Sequence, residues 1–483
     1  MINLKNKTVK TLFILLGGAI GAFAFPPYNL TILGLLSYGL LFIFVKRAAN
    51  CKQAMFVSGL WSISFFVSGL WWIAQALLVE GNPFWWAYPI AVLGLPALLS
   101  VFHIVSSAIF KKIERTFELD LIISGALFAL IFATSEYLRG NLFTGFPWNL
   151  PAYIWSDHLT ILQTLSWAGP YGLSLMTIVL SVSIAALTLE CSKKSSIVAL
   201  VVVTAFLSLH FWGGNRLHNA SVTNNTSSNT LVRVVQPNIK QEDKWNPNLY
   251  SEHLSTLQRL SISPLPDEDF DTVLLIFPET AINDVMMSSD SAREAFASIT
   301  KHYKEKGKVV YILTGALRSH VSLDGGVGYY NSALLYDDKG YIIDDYDKSH
   351  LVPFGEYMPL SDVLDIAPIV GFSGFQKGDG PTTIHKKGIP SMGVAICYEL
   401  IFPKKLINQS DRPELIVTIT NDGWYGNTPG PYQHHMMARY RAIEEETPVL
   451  RAANTGVSGG FDSFGRSLGR IEVNDFGVID SLL

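Results

Sequence analysis

The chain has 483 residues, 49% of them hydrophobic and 16% charged, and a mean hydropathy of +0.28, which excludes an ordinary soluble enzyme and a single small domain. A net charge of −4 and a pI near 6.3 exclude the basic surplus of a nucleic-acid binder, so no nucleic-acid partner is expected. The averages conceal two solvents: residues 1–214 hold 19 Asp, Glu, Lys and Arg, whereas the remaining 269 residues hold 57.

The first half reads as a bundle of transmembrane helices. Residues 11–45 carry no Asp, Glu, Lys or Arg, and Pro26-Pro27 divides them into two spans. Residues 54–79, 81–110 and 159–189 are equally free of charge, and each exceeds the roughly 20 residues that cross a hydrocarbon core of about 30 Å. Residues 121–138 and 195–213 complete a predicted set of seven. With the N-terminus in the cytoplasm, the inner segments collect 11 Lys and Arg and the outer loops only Arg139, which is the expected bias. Seven crossings then deliver everything after residue 214 to the outer side. Trp85, Trp86, Trp148 and Trp155 fall in the outer loops, where interfacial aromatics are expected. The basic start, apolar stretch and Ala22-Phe23-Ala24 also fit a cleavable signal peptide, but its removal would leave six spans and the wrong parity. Glu136 and Arg139 read as an interfacial pair snorkelling toward water. A lipid-headgroup site built from them and the loop NLFTGFPWN is the alternative. His103 reads as a satisfied bundle histidine.

Residues 215–230 form a linker that ends in the Ser/Thr/Asn tract 221–230, and residues 231–483 change character. Runs 231–239, 272–277 and 308–313 look like buried strands. Runs 331–336 and 341–346 flank the turn Asp337-Asp338-Lys339-Gly340 and read as a hairpin. Runs 391–396, 415–420, 449–453 and 457–461 are further strands, and 434–446 has a helical pattern. Alternating strands and helices over such a length predict a layered α/β domain.

Of the three cysteines, Cys51 and Cys191 fall in inner loops, which leaves Cys397 without a disulfide partner on the outer side. It directly follows the strand 391–396, and strand ends are where α/β domains hold ligands. Glu279 ends the strand VLLIFPET, and Lys348 follows the second hairpin strand in YDKSHLVPFGEYMP. Each alone is an ordinary surface residue. Together they offer a base for a thiol of pKa about 8.5 and a positive charge for an acyl oxyanion, shared with the backbone N–H after Cys397.

Glu279, Lys348 and Cys397, in this order and with these flanks, resemble the Glu-Lys-Cys triad of the nitrilase (carbon–nitrogen hydrolase) superfamily. With seven spans in front, the whole chain resembles the apolipoprotein N-acyltransferase family of bacterial inner-membrane enzymes. The motifs that carry the resemblance are RGNLFTGFPWN at 139–149, FPET at 277–280, DKSHLVPFGEY at 347–357, CYE at 397–399 and NDGWYG at 421–426. The resemblance implies a nitrilase-like αββα sandwich in the periplasm and a reaction that needs no metal and no cofactor. It implies that Cys397 takes an acyl chain from the sn-1 position of a phospholipid such as phosphatidylethanolamine, with Glu279 as base. Lys348 and the Tyr398 N–H then hold the oxyanion, and the chain passes as a thioester to the diacylglyceryl-cysteine amine of an apolipoprotein. Glu356 positions Lys348, and Trp245, Tyr398 and Glu399 line the site. Substrates anchored by acyl chains, at about 0.8 kcal/mol per exposed CH₂, demand a site at the membrane interface.

Residues 352–380, with Phe354, Tyr357, Met358, Phe372 and Phe375, read as a mobile lid that dips into the membrane, or alternatively as a loop packed on its own domain. Tyr171, Trp424 and Arg439 either touch a substrate or pack. The resemblance also implies a final membrane helix, whereas this sequence ends at Asp480-Ser481-Leu482-Leu483 without one, by nature or by truncation of the reading frame. Two other readings use the same residues. A membrane-tethered amidase would pass the acyl group to water, and a transporter or receptor with an inactive nitrilase domain would need charged or broken helices at the bilayer midplane.

Overall fold

Two solvents in the sequence become two units in the computed structural model, Met1–Leu77 with Trp85–Ala220 and Leu78–Phe84 with Ser221–Leu483. Residues 7–220, 229–282, 290–321, 327–359 and 374–483 are described.

Among the described residues of the first unit, six helices are long and apolar enough to cross a membrane: Lys7–Ala24, Cys51–Leu78, Trp85–Thr116, Leu121–Asn141, Leu165–Leu189 and Lys193–Asn219. The remaining predicted span is the helix Thr31–Lys46, whose 16 residues rise only about 24 Å. Side-chain caps start three of the helices: Asn50 accepts from the Gln53 N–H, Asp120 from Ile122 and Ile123, and Ser192 from Ser195. The uncharged run 159–189 is not one helix. A turn at Leu159–Leu162 precedes Leu165–Leu189, which is kinked at Gly169 (φ 62°), because the residue before Pro170 is pushed out of the helical region.

Glu136 and Arg139 do not snorkel. They are 1% and 2% exposed, one turn apart on a helix face that neighbouring helices cover. Glu136 Oε1 lies 2.7 Å from His103 Nε2, and Oε2 accepts from Arg139 Nε at 2.9 Å and from Nη2. His103 Nδ1 meets Ser62 Oγ at 2.8 Å, and Arg139 Nη1 donates to the Phe146 carbonyl at 2.5 Å. His103 is therefore satisfied, and the pair ties three helices to the loop after Asn141. Trp85 and Trp86 are exposed, as an interface requires, but Trp148 and Trp155 are buried. Trp148 packs on Trp72, and Trp155 donates to Thr177 Oγ1.

The second unit holds two six-stranded sheets. The first contains β1 (Thr230–Gln236), β2 (Thr272–Ile276), β3 (Val309–Val321), β4 (Val327–Tyr336), β5 (Ile342–Asp347) and β12 (Gly477–Leu482), in the order β12-β1-β2-β3-β4-β5. The second contains β6 (Thr383–Ile384), β7 (Met392–Ile396), β8 (Leu415–Thr420), β9 (Val449–Ala453), β10 (Ser458–Phe461) and β11 (Ser467–Ile471), in the order β11-β10-β9-β8-β7-β6. β1, β2 and β3 run parallel, as do β7, β8 and β9, and the outer strands are antiparallel.

Alternation along the strands sets the layers. Val232, Val234, Leu274 and Ile276 pack against Met392, Val394, Ile396 and Val417 between the sheets. Their neighbours Leu231, Val235, Val273 and Leu275 face Leu254, Leu257, Phe296 and Ile299 on the helices Tyr250–Ser261 and Asp290–Glu305. Helix Pro429–Glu445 covers β9 and β10, which completes an αββα sandwich. Both of the former helices, β6, β11 and β12 were absent from the predicted elements, and β3 extends eight residues beyond the predicted run to Val321.

Candidate active site

Five chain segments bring polar side chains to one end of the two sheets. Glu279 follows β2, Lys348 follows β5, and Cys397 follows β7 and opens the short 3-10 helix Cys397–Ile401. Asn331 lies within β4, and Asn421 follows β8. The register of β4 with β5 pairs Ser332 with Asp347, so the Lys348 N–H reaches the Asn331 carbonyl at 2.9 Å. Glu279 fits over β3 only because residue 315 is glycine: a Cβ there would lie 2.6 Å from Glu279 Cα and 2.4 Å from the Thr280 nitrogen.

The carboxylates are held by donors on both sides. Glu279 Oε1 accepts from Asn331 Nδ2 at 2.7 Å, and Oε2 accepts from the Asn421 N–H at 2.9 Å. Lys348 Nζ donates to Glu356 Oε1 at 2.8 Å and lies 3.8 Å from Glu279 Oε1. Asn331 Nδ2 also reaches Glu356 Oε1 at 3.1 Å, so one amide bridges the two carboxylates. Burial works to lower the pKa of Lys348, which is 1% exposed, but the charges of Glu356 and Glu279 hold it above its usual value. Lys348 is therefore a fixed cation.

Cys397 is buried and adopts φ 53°, a left-handed conformation unusual for a residue with a side chain. Burial pushes its thiol well up, Glu279 adds to the rise, and Lys348 opposes it. The resting group is thus a thiol that needs a base, and Glu279 is the carboxylate that acts on it most strongly.

Glu399 bolts the site together. Its Oε1 accepts from the Ser349 N–H and Oγ at 2.8 Å, the His350 N–H at 3.0 Å and the Tyr346 hydroxyl at 2.8 Å. Its Oε2 accepts from the Ile396 N–H at 2.7 Å. One carboxylate therefore joins the Lys348 loop to the strand end that carries Cys397. Tyr398 is buried, with its ring edge-on to Phe402 and His350. Trp245 is 36% exposed, and its neighbour Lys244 donates to the Glu279 carbonyl at 2.9 Å.

Sequence reasoning missed Asn331, Lys244 and Asn421. NDGWYG was noticed as a motif, but nothing in it shows that the Asn421 N–H holds Glu279. Of the residues left open, Arg439 stacks over Phe461, and Tyr171 packs on Tyr137. Trp424 is half-buried in the 3-10 turn Asp422–Tyr425. In the lid segment, Val352–Tyr357 is a tight turn around Glu356, whose Oε2 accepts from the Val352 N–H at 2.8 Å. Phe375 donates to the Glu356 carbonyl at 2.8 Å, so both ends of the segment pack on this unit, while 360–373, including Phe372, lie outside the described residues. Among the described residues no cluster of His, Cys, Asp or Glu has the makings of a metal site.

Comparison with known proteins finds relatives for both units. The model of the apolipoprotein N-acyltransferase N-terminal domain matches residues 17–184, and that of carbon-nitrogen hydrolases matches 231–468. An apolipoprotein N-acyltransferase of Brucella melitensis is 34% identical, over 100% of this chain and 91% of its own. One of Rhizobium rhizogenes is 32% identical, over 98% of this chain and 90% of its own. Among solved structures, an amidase from Nesterenkonia sp. is similar with 16% identity and a TM-score of 0.35, covering 53% of this chain and 91% of its own.

Proposed function

We propose, from the premise that this chain belongs to the apolipoprotein N-acyltransferase family, that Cys397 carries an acyl chain from a membrane phospholipid to a lipoprotein amine. Glu279 takes the Cys397 proton, and the thiolate attacks the sn-1 ester carbonyl of a donor such as phosphatidylethanolamine. Lys348 and the Tyr398 N–H receive the oxyanion. Collapse expels the lysophospholipid alkoxide, which takes the proton back from Glu279 and leaves a thioester on Cys397. The α-amine of a diacylglyceryl-cysteine at the apolipoprotein N-terminus then attacks, giving its proton to Glu279. The second oxyanion forms in the same place, and the thiolate leaves and is reprotonated.

The observation that carries this reading is the pairing of a buried, fixed Lys348 with two carboxylates beside a buried thiol at a strand end. Six long apolar helices hold such an enzyme in a membrane. The charge bias of the loops supports a second unit in the periplasm, on the outer face of the inner membrane. Glu356 positions Lys348, Glu399 fixes the two loops, and Trp245 and Tyr398 line the acyl-binding side.

The test is transfer of a defined acyl chain from phosphatidylethanolamine to a diacylglyceryl-cysteine peptide by the detergent-purified chain. Wild type makes the triacylated peptide, and Cys397→Ala and Glu279→Gln do not. Triacylation by a folded Cys397→Ala variant would overturn the assignment.

A further inference from the structure

Against the backbone of Cys397 lies a buried charged chain that the two-step reaction above does not use. Asp422 Oδ2 accepts from Arg451 Nη2 at 2.7 Å, and Asp422 Oδ1 lies 2.9 Å from His434 Nδ1. His434 Nε2 lies 3.1 Å from the carbonyl oxygen of Cys397. All three residues are at most 1% exposed. They come from β9, the turn after β8 and the helix Pro429–Glu445, so three separate elements converge on one carbonyl.

Hydrogen-bond accounting fixes the direction of the chain. Burial alone would raise the Asp422 carboxyl, but Arg451 and His434 hold it far below the usual carboxylate range, so Asp422 is an acceptor only. The Cys397 carbonyl is also an acceptor only. His434 Nε2 therefore carries the proton of that contact, while Nδ1 faces both Asp422 Oδ1 and Arg451 Nη2, the latter at 3.1 Å. Space is reserved for the arrangement: a Cβ at Gly456 would lie 2.4 Å from Asp422 Oδ2, so only glycine passes there.

We propose that Arg451, Asp422 and His434 act as a positioning relay for the oxyanion hole, with His434 donating from Nε2 to the Cys397 carbonyl. The inference rests on the reading of Cys397 as nucleophile and the Tyr398 N–H as oxyanion donor. That N–H and the Cys397 carbonyl belong to one peptide group, so a donor on the oxygen makes the N–H a stronger donor. The same bond holds Cys397 in its left-handed conformation from its C-terminal side, while Glu399 Oε2 holds the Ile396 N–H before it. His434 touches no substrate atom and acts only through this peptide.

The experiment uses the full-length protein in detergent with carbonyl-¹³C cysteine and ¹⁵N tyrosine. Cys397-Tyr398 is the chain's only Cys-Tyr pair, so a single coupled amide signal reports the Tyr398 N–H. In His434→Leu the amide proton is expected to move upfield. The rate of Cys397 acylation by phosphatidylethanolamine is expected to fall about tenfold at an unchanged donor KM. His434→Gln, whose amide keeps a donor, should recover most of both. A folded His434→Leu variant with an unmoved signal and the wild-type rate overturns the relay. If that variant does not fold, the wild type decides by ¹⁵N-histidine spectra: an unprotonated His434 Nε2 overturns the relay, and a protonated Nε2 supports it. Absence of any acyl adduct on the wild type would instead sink the nucleophile assignment beneath it.

Discussion

Replacing Glu356 by glutamine isolates the charge that holds Lys348. Glu356 Oε1 accepts from Lys348 Nζ at 2.8 Å and Asn331 Nδ2 at 3.1 Å, and Oε2 accepts from the Val352 N–H at 2.8 Å. An amide keeps one acceptor oxygen and turns a donor toward either Val352 or the Lys348–Asn331 pair. Lys348 is 1% exposed and has no water to turn to. At an effective dielectric near 20, the lost contact at 2.8 Å is worth roughly 6 kcal/mol, and the Lys348–Glu279 contact that remains, at 3.8 Å, roughly 4. Much of that loss is offset because no carboxylate is left to desolvate, and a neutral hydrogen bond persists. A net destabilisation of about 2–3 kcal/mol is expected. Lys348 then moves onto Glu279, which engages the base and withdraws the ammonium from the oxyanion. Acylation of Cys397 should slow about 100-fold with little change in donor KM. Quenched-flow measurement of the adduct, beside thermal unfolding in detergent, reads both effects. A folded variant that keeps roughly a third or more of the wild-type acylation rate would refute the positioning role.

Gly315→Ala should displace Glu279, because backbone atoms at 2.4–2.6 Å must give way. It is expected to cost about 1–3 kcal/mol and at least about tenfold in acylation rate, and an unchanged rate would contradict the packing. Glu136→Gln should leave Arg139 buried without its carboxylate and lower bundle stability by about 3–5 kcal/mol, seen as a fall in the detergent melting temperature. Lys244 gives a pH signature, since burial pulls its pKa from the usual 10.5 to about 8. Below pH 8 both states are protonated and the full cost of the buried charge is present. Between pH 8 and 10.5 the unfolded lysine keeps a proton that the folded one has lost, so stability rises with pH. Relative to Lys244→Met, wild type should gain about 3 kcal/mol across that window, and a flat difference in denaturation midpoints would refute it.

The parts of this structure legible in the sequence are those written in local pattern. Uncharged runs gave the spans, and the apolar run ending at Ile396 marked Cys397 as a strand-end residue. What escaped depends on which face of an element meets a neighbour. Glu136 and Arg139 stand near a helix end in an apolar run, where snorkelling is the ordinary outcome. Their burial follows from the covering helices that bring His103 and Ser62 to the same point. β12 is not among the predicted strands, yet it pairs with β1, and Asp480 meets the buried Arg233 at 2.7 Å across 247 positions. Asn331 carries no motif at all. Its role comes from the β4–β5 register, which places it between two carboxylates 77 residues apart in sequence.

The most telling measurement is the intact mass of the full-length protein after incubation with phosphatidylethanolamine of defined chains. Wild type should gain a single acyl increment that Cys397→Ala lacks and that a diacylglyceryl-cysteine peptide discharges. An adduct discharged equally fast by water alone would make the chain a hydrolase, and a folded wild type with no adduct would contradict Cys397 as the acyl carrier.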